Sequence, residues 1–231
     1  MTRKIIQIAA FGLLLLQPSA LLAQYDDHLF PEDGPFSEML FDYLNDVRRI
    51  LTRGMRDAPL AYMACLQSFL PEWAVYIQQP QPNPDKPYPL GMLSCFVVCE
   101  QADTQIWETV IGSIQSDPDI RSHIKTTVTT RRIPTADANL VVRAFLAVLA
   151  KTRYSGARPV SFDGVSYHFT ARDPSHGLLM CGQAHDPQKD STPGMLVALG
   201  KTMAEYSRCT DNGTADSLLT RMREIADRLT K

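Results

Sequence analysis

A run of prolines limits what the first half of this chain can fold into. Prolines occupy positions 80, 82, 84, 87 and 89. Because proline lacks a backbone N–H and fixes φ, such a stretch favours extended polyproline geometry over a helix or a sheet strand. We therefore interpret residues 80–90 as a stiff connector between two regions. The alternative is a recognition segment for an aromatic groove.

The region before the connector, residues 24–79, is predicted to be helical. Apolar residues between Phe36 and Leu51 recur at intervals of three and four, which is typical of an amphipathic helix. We predict a second helix from about Pro59 to Phe69. A third begins at Pro71 and runs through Tyr76, since proline suits the first turn of a helix.

Residues 91–231 are predicted to form an α+β domain that begins with a β-α-β unit. Met92 to Cys99 is apolar on both alternating faces, as in a strand that is covered on both sides. Asp103 can cap a following helix that ends at Pro118, and Ile120 to Arg132 alternates like a second strand.

A three-stranded antiparallel meander is predicted next, after a helix that opens at Thr135. Asp163-Gly164 suits a type I′ turn, and a second turn near Gly177 would bring Cys181 opposite Tyr167. Helices capped by Thr192 and Thr214 complete the chain. The expected fold is α+β: a mixed sheet of about five strands packed with helices, preceded by the helical N-terminal region.

Residues 1–23 have the three-part pattern of a secretory signal peptide. Two basic residues precede a short apolar run from Ile5 to Leu16, and Ala23 offers a small residue for cleavage. A transmembrane helix needs roughly 20 apolar residues, so the leader is expected to be removed and to leave no stable membrane anchor. The predicted location is periplasmic or secreted.

Charge and glycine content exclude several classes of partner. Lys and Arg number 23 and Asp and Glu 25; loss of Arg3 and Lys4 with the leader changes the balance from −2 to 21 − 25 = −4. Mild acidity offers no attraction for nucleic acid. No glycine-rich phosphate loop is present, because Gly112, Gly156 and Gly164 are isolated, and we predict no cofactor.

Five cysteines follow the leader, and an oxidising compartment would favour pairing them. The disulfide candidates are Cys65, Cys95, Cys99, Cys181 and Cys209. Their number is odd and their connectivity is open. A local bridge between Cys95 and Cys99 is disfavoured, since four extended residues span about 13 Å. The alternative is that several are simply buried core residues.

Three histidines and a cysteine lie close together in sequence and are candidate metal ligands, namely His168, His176, Cys181 and His185. Under the predicted register His168 and Cys181 point to opposite faces of the sheet. Neither C-x-x-C nor H-E-x-x-H occurs. We therefore predict no metal site.

The sequence supports three hypotheses about function. The leading one is a non-catalytic binding or accessory protein of the bacterial envelope that contacts another envelope protein, for example an inhibitor or immunity protein. The second is an envelope hydrolase that uses Cys65 and His168. Cys65 lies within an apolar run without a helix terminus to activate it, which argues against catalysis. The third is a structural component of an envelope or secretion assembly.

Overall fold

The structure, a computed structural model, describes residues 27–32, 37–53, 59–79, 94–113, 123–153, 164–173 and 176–231. The leader, the connector 80–90 and the predicted strand before Asp163 lie outside these residues. The described helices are α1 (Ser37–Leu51), α2 (Ile106–Ser113), α3 (Thr135–Leu149), α4 (Thr192–Arg208) and α5 (Asn212–Leu229). The described strands are β1 (Ala61–Gln67), β2 (Leu70–Gln78), β3 (Cys95–Ala102), β4 (Thr126–Ile133), β5 (Val165–Arg172) and β6 (Leu179–His185).

The strands form one sheet in the order β4-β3-β2-β1-β5-β6, and every neighbouring pair is antiparallel. The predicted α+β class is confirmed, and so is the helix that precedes the sheet. The sheet contains six strands where about five were expected. Strands β3 and β4, on either side of α2, are antiparallel neighbours rather than a parallel β-α-β pair.

The two helices predicted between Pro59 and Tyr76 are instead a β-hairpin. Strands β1 and β2 pair from Ala61 opposite Ile77 to Gln67 opposite Leu70, with a turn between them. Because the hairpin is buried on both faces, its apolar run lacks the alternation of a half-exposed strand. Strand β2 also pairs with β3, so residues 80–90 connect neighbouring strands and do not separate two domains.

Helices cover both faces of the sheet. Face A, which includes Met63, Val75 and Phe169, packs against α3 and α4, and α5 packs on these two helices in the same larger apolar core. Gly200 of α4 leaves room for the thioether end of Met63 from β1, which would have to shift to admit a Cβ at that position. Face B, which includes Tyr62, packs against α1 and α2 in a smaller core.

The predicted pairing of Cys181 with Tyr167 is wrong. In the structure Cys181 lies opposite Thr170, and Tyr167 lies opposite Ala184. Asp173 N donates to Leu178 O, so the turn is longer than expected and the register moves by an odd number of residues. An odd shift reverses the faces of a strand, and it places Cys181 on face B with His168.

The last two helices begin with side-chain caps one to three residues earlier than predicted. Ser191, and not Thr192, caps α4 by accepting from Gly194 N at 3.1 Å. Asp211 caps α5 by accepting from the backbone N–H of Thr214, the residue that the sequence suggested as the cap.

Candidate functional site

Three large apolar side chains are exposed near one end of the sheet, and we call them the hairpin patch. Phe69, in the turn between β1 and β2, is 80% exposed, and Leu70 is 56% exposed. Trp107, in the first turn of α2, is 38% exposed. Exposed apolar side chains that group together mark contact surfaces more often than isolated ones do.

Hydrogen bonds fix the hairpin turn to its neighbours. The Gln105 side-chain amide donates to Ser68 O at 2.7 Å, which joins the turn to the segment that starts α2. On the other side, Ser68 Oγ donates to Gly164 O at 2.9 Å. The apolar side chains of the turn are therefore presented on an anchored backbone.

Trp107 is held from two directions. Its backbone N–H donates to Glu72 Oε1 at 3.0 Å, and the neighbouring N–H of Ile106 donates to Glu72 Oε2 at 2.7 Å. The Trp107 ring packs edge-on against Tyr43 of α1, with the ring centroids 5.0 Å apart. Tyr43 Oη also donates to Glu72 at 2.6 Å, so one buried carboxylate organises this end of face B.

A second candidate is a buried polar cluster on face B formed by Glu32, Arg48 and His168. Arg48 Nη2 of α1 donates to both carboxylate oxygens of Glu32 at 2.8 and 2.9 Å. His168 Nδ1 of β5 lies 3.4 Å from Glu32 Oε1. Glu32 belongs to the strap, residues 27–32, which pairs with β6 through Phe30 and Gln183. The cluster therefore ties the strap and α1 to the sheet.

Burial and charge oppose one another within this cluster. Burial works against ionisation of Glu32, but the interactions with His168 and Arg48 outweigh it and lower the pKa of Glu32. Burial likewise disfavours the Arg48 cation, yet Glu32 raises the pKa of Arg48 overall. Both groups are thus held in their charged forms. With His168 only 2% exposed, the cluster has the character of a structural ion pair rather than an open reaction site.

The structure does not bring the predicted pair of Cys65 and His168 together. Cys65 points into the core of face A, and His168 lies on face B beside the Glu32 carboxylate. Burial also raises the pKa of Cys65 to about 12, so this thiol is protonated near neutral pH. A thiolate is the nucleophile in cysteine catalysis, and the geometry gives no support to the hydrolase hypothesis.

The three histidines that are candidate metal ligands each bond to a different residue. His168 bonds to Glu32, His176 to Asp173 and His185 to Ser166. His168 and Cys181 lie on the same face, so the reason first given against a metal site is wrong. Among the described residues, no group of three or more His, Cys, Asp or Glu side chains is arranged to hold a metal ion.

All five cysteines lie in the described residues, and all five are free thiols. Cys65, Cys95 and Cys99 lie buried on face A, whereas Cys181 lies on face B. Cys209 follows α4, where its sulfur donates to Asp211 O at 3.1 Å. The candidate disulfide partners, four on strands and Cys209 after α4, are therefore held in place without being joined.

The sequence interpretation missed the hairpin patch because Phe69 and Leu70 fell at the boundary of two predicted helices. A usable pattern was present: Trp73, Val75, Tyr76 and Ile77 form a run enriched in aromatic and β-branched residues, which favours a strand. A strand there would have made the preceding residues a turn.

Comparisons with known proteins leave the structure as the main guide to function. Neither the protein-family models nor the curated proteins nor the solved structures contain a match to this chain. No helix in the described part of the chain combines the length and apolar content needed to cross a bilayer.

Proposed function

We propose that this protein is a binding or accessory protein of the bacterial envelope that acts by contact with another protein. The observation that carries the proposal is the hairpin patch, where Phe69, Leu70 and Trp107 are exposed on an anchored turn and helix start. Burying such side chains in a partner releases about 25 cal/mol for each Å² of apolar surface. Anchoring matters because a preordered surface loses less conformational entropy on binding.

The location in the envelope is supported by the leader pattern in residues 1–23. Mass spectrometry of the protein from its native host tests it directly. We expect a mature chain that begins at Gln24 in the periplasmic or secreted fraction. Recovery of cytosolic protein that retains Met1 would overturn the location.

Co-purification from the native host tests the contact surface. The test variant is Phe69→Ser with Leu70→Ser, and the matched control is Leu178→Ser with Leu179→Ser, an exposed apolar pair at the β5–β6 turn. We expect a partner in stoichiometric amount with the wild type and the control but not with the test variant. Recovery of the wild type alone, or equal recovery of the partner with the test variant, would contradict the proposal.

A further inference from the structure

The two edge strands of the sheet differ in what covers them. At β6, the strap closes part of the edge: Phe30 N donates to Gln183 O at 2.9 Å, and Gln183 N donates to Phe30 O at 2.7 Å. At β4, no strand among the described residues pairs with the outer edge. An edge of this kind presents backbone groups that can pair with another chain.

The direction of the β4 backbone groups follows from one hydrogen bond. Asp103 N donates to Lys125 O, directly opposite it in the register, so the odd-numbered residues of β4 form the hydrogen-bonded pairs with β3. The even-numbered residues must then direct their N–H and C=O groups outward. Arg132 agrees, because its carbonyl accepts from Tyr206 Oη at 2.7 Å. Val128 and Thr130 are the outward-facing residues in the middle of the strand.

The middle of β4 lacks the usual protection of an edge. Its pairing with β3 runs without a bulge from Thr126 to Ile133, and the strand contains no proline. Residues 126–130 are threonine and valine, which favour extended structure. Val128 is 52% exposed on face B, so an added strand would meet an apolar side chain at its centre.

The charge around this edge favours an acidic occupant. Lys125 and Arg132 are exposed at the two ends of β4, and Arg53 reaches the same region by donating to Ile124 O at 3.0 Å. Two nearby carboxylates oppose this charge, and the three cations outnumber them: Asp103 accepts from Thr127 Oγ1 at 3.2 Å, and buried Glu100 accepts from Thr126 Oγ1 at 2.6 Å.

We propose that the outer edge of β4 binds an extended acidic segment of a partner protein by strand addition. The segment pairs its backbone with Val128 and Thr130, sets an apolar residue against Val128, and directs acidic residues toward Lys125 and Arg132. Main-chain bonds then supply affinity and the alternate side chains supply specificity. This surface is separate from the hairpin patch, so either proposal can fail without the other.

A second copy of this chain is a poorer occupant of the same edge. The sequence from Thr126 to Thr130 is symmetric about Val128, and two antiparallel β4 strands could align there. That alignment would place Lys125 opposite Arg131 of the second copy at both ends. Like charges directly opposite one another destabilise a strand pair.

The probe is a synthetic peptide of about nine residues, a little longer than β4, with a Thr-Val-Thr-Val-Thr centre and two acidic residues at each end. The control peptide carries lysines at the ends. By fluorescence polarisation we expect the acidic peptide to bind, the lysine peptide to fail, and added salt to weaken binding. Lys125→Glu with Arg132→Glu should weaken binding about tenfold or more, while Phe69→Ser with Leu70→Ser should leave it unchanged.

Amide hydrogen exchange measured by NMR gives a readout that does not depend on affinity. The amides of Val128 and Thr130 should exchange fast in the free protein and slowly with the acidic peptide bound. The amides of Thr127 and Thr129, already bonded to β3, should be slow in both states. Equal binding of the two peptides, or no protection at Val128 and Thr130, would overturn the proposal. So would a stable dimer, seen by sedimentation, that excludes the peptide.

Discussion

Faces A and B of the sheet are covered in different ways. Face A packs against α3 and α4, which α5 covers in turn, and its core is built mainly from interlocking apolar side chains. Face B carries the smaller core and three carboxylates that are largely withdrawn from solvent, namely Glu32, Glu72 and Glu100. Each of these carboxylates bonds to a different element from its own. Where the helices cover less apolar surface, buried hydrogen bonds connect the elements.

The hairpin patch can be exposed and yet fixed because hydrogen bonds hold its backbone. Trp107 keeps its position because Glu72 holds the start of α2 and the Tyr43 ring packs against the indole, while 38% of the side chain stays exposed. Face B therefore has the means to present apolar side chains to a partner.

Truncation of the face A core should have the largest effect on stability. Phe169 is fully buried, and its ring packs against Phe145 with the centroids 6.1 Å apart. We expect Phe169→Ala to lower the free energy of unfolding by about 3 to 5 kcal/mol, because it removes apolar contacts and leaves a cavity. Urea denaturation measures the loss. Leu179→Ala, at an exposed position, is the control and should change little.

Removal of the Glu72 carboxylate should have the largest effect among the polar groups of face B. Glu72→Ala leaves two backbone N–H groups and the Tyr43 hydroxyl without their acceptor, and we expect a loss of about 2 to 4 kcal/mol in urea denaturation. Glu108→Ala on exposed α2 surface is the matched control. A loss no greater than that of the control would show that water replaces the carboxylate without cost.

Glu32 and Glu100 should give opposite responses to pH. The pKa of Glu32 is lowered, so its contribution to stability is present above the ordinary value of 4.5 and disappears as pH falls through the lower folded value. Burial raises the pKa of Glu100 despite its bond with Thr126, so ionisation costs stability as pH rises from 4.5 through the higher folded value.

The corresponding glutamine variants test these signs. Relative to wild type, Glu32→Gln should lose stability as pH rises from acid to neutral, and Glu100→Gln should gain it. Urea midpoints across that range measure both. If the stabilities of both variants, relative to wild type, changed in the same direction with pH, the opposite pKa shifts of Glu32 and Glu100 would be contradicted.

The smallest effect is expected at an ion pair above face A. Arg223 of α5 bonds to both oxygens of Asp137 at the start of α3, at 2.6 and 2.8 Å, but its side chain is about half exposed. We expect Arg223→Ala to cost less than about 1 kcal/mol in thermal or urea denaturation. If Arg223→Ala lowered the free energy of unfolding as much as Glu72→Ala does, polar interactions would stabilise the two faces to the same extent. Arg221→Ala, on the exposed side of the same helix, is the control.

The sequence predicted the amphipathic elements well. α1, α3, α4 and α5 each have one buried stripe, and their helical period is visible without knowledge of the partner surface. The hairpin of β1 and β2 was missed because burial on both faces removes the alternation on which strand prediction depends. Because residues 59–76 were predicted to be helical, residues 80–90 were interpreted as the boundary between a helical region and an α+β domain.

The candidate site was less accessible to sequence reasoning. The role of Glu72 depends on Tyr43 and Ile106, which lie far from it in sequence and reach it only in the folded chain. The register of β5 and β6 depends on the length of a turn, and an error of an odd number of residues moved Cys181 to the wrong face. The first depends on contacts between residues far apart in the chain, and the second on the length of a local turn.

The five free thiols have a consequence for how this protein matures. Because all five cysteines are free in the folded chain, packing and hydrogen bonds hold the sheet in this structure and no disulfide contributes. The three cysteines of face A are sealed beneath helices, which shields them from oxidants once the core has closed. The interval between synthesis and closure of that core is when these side chains are vulnerable to incorrect bridging.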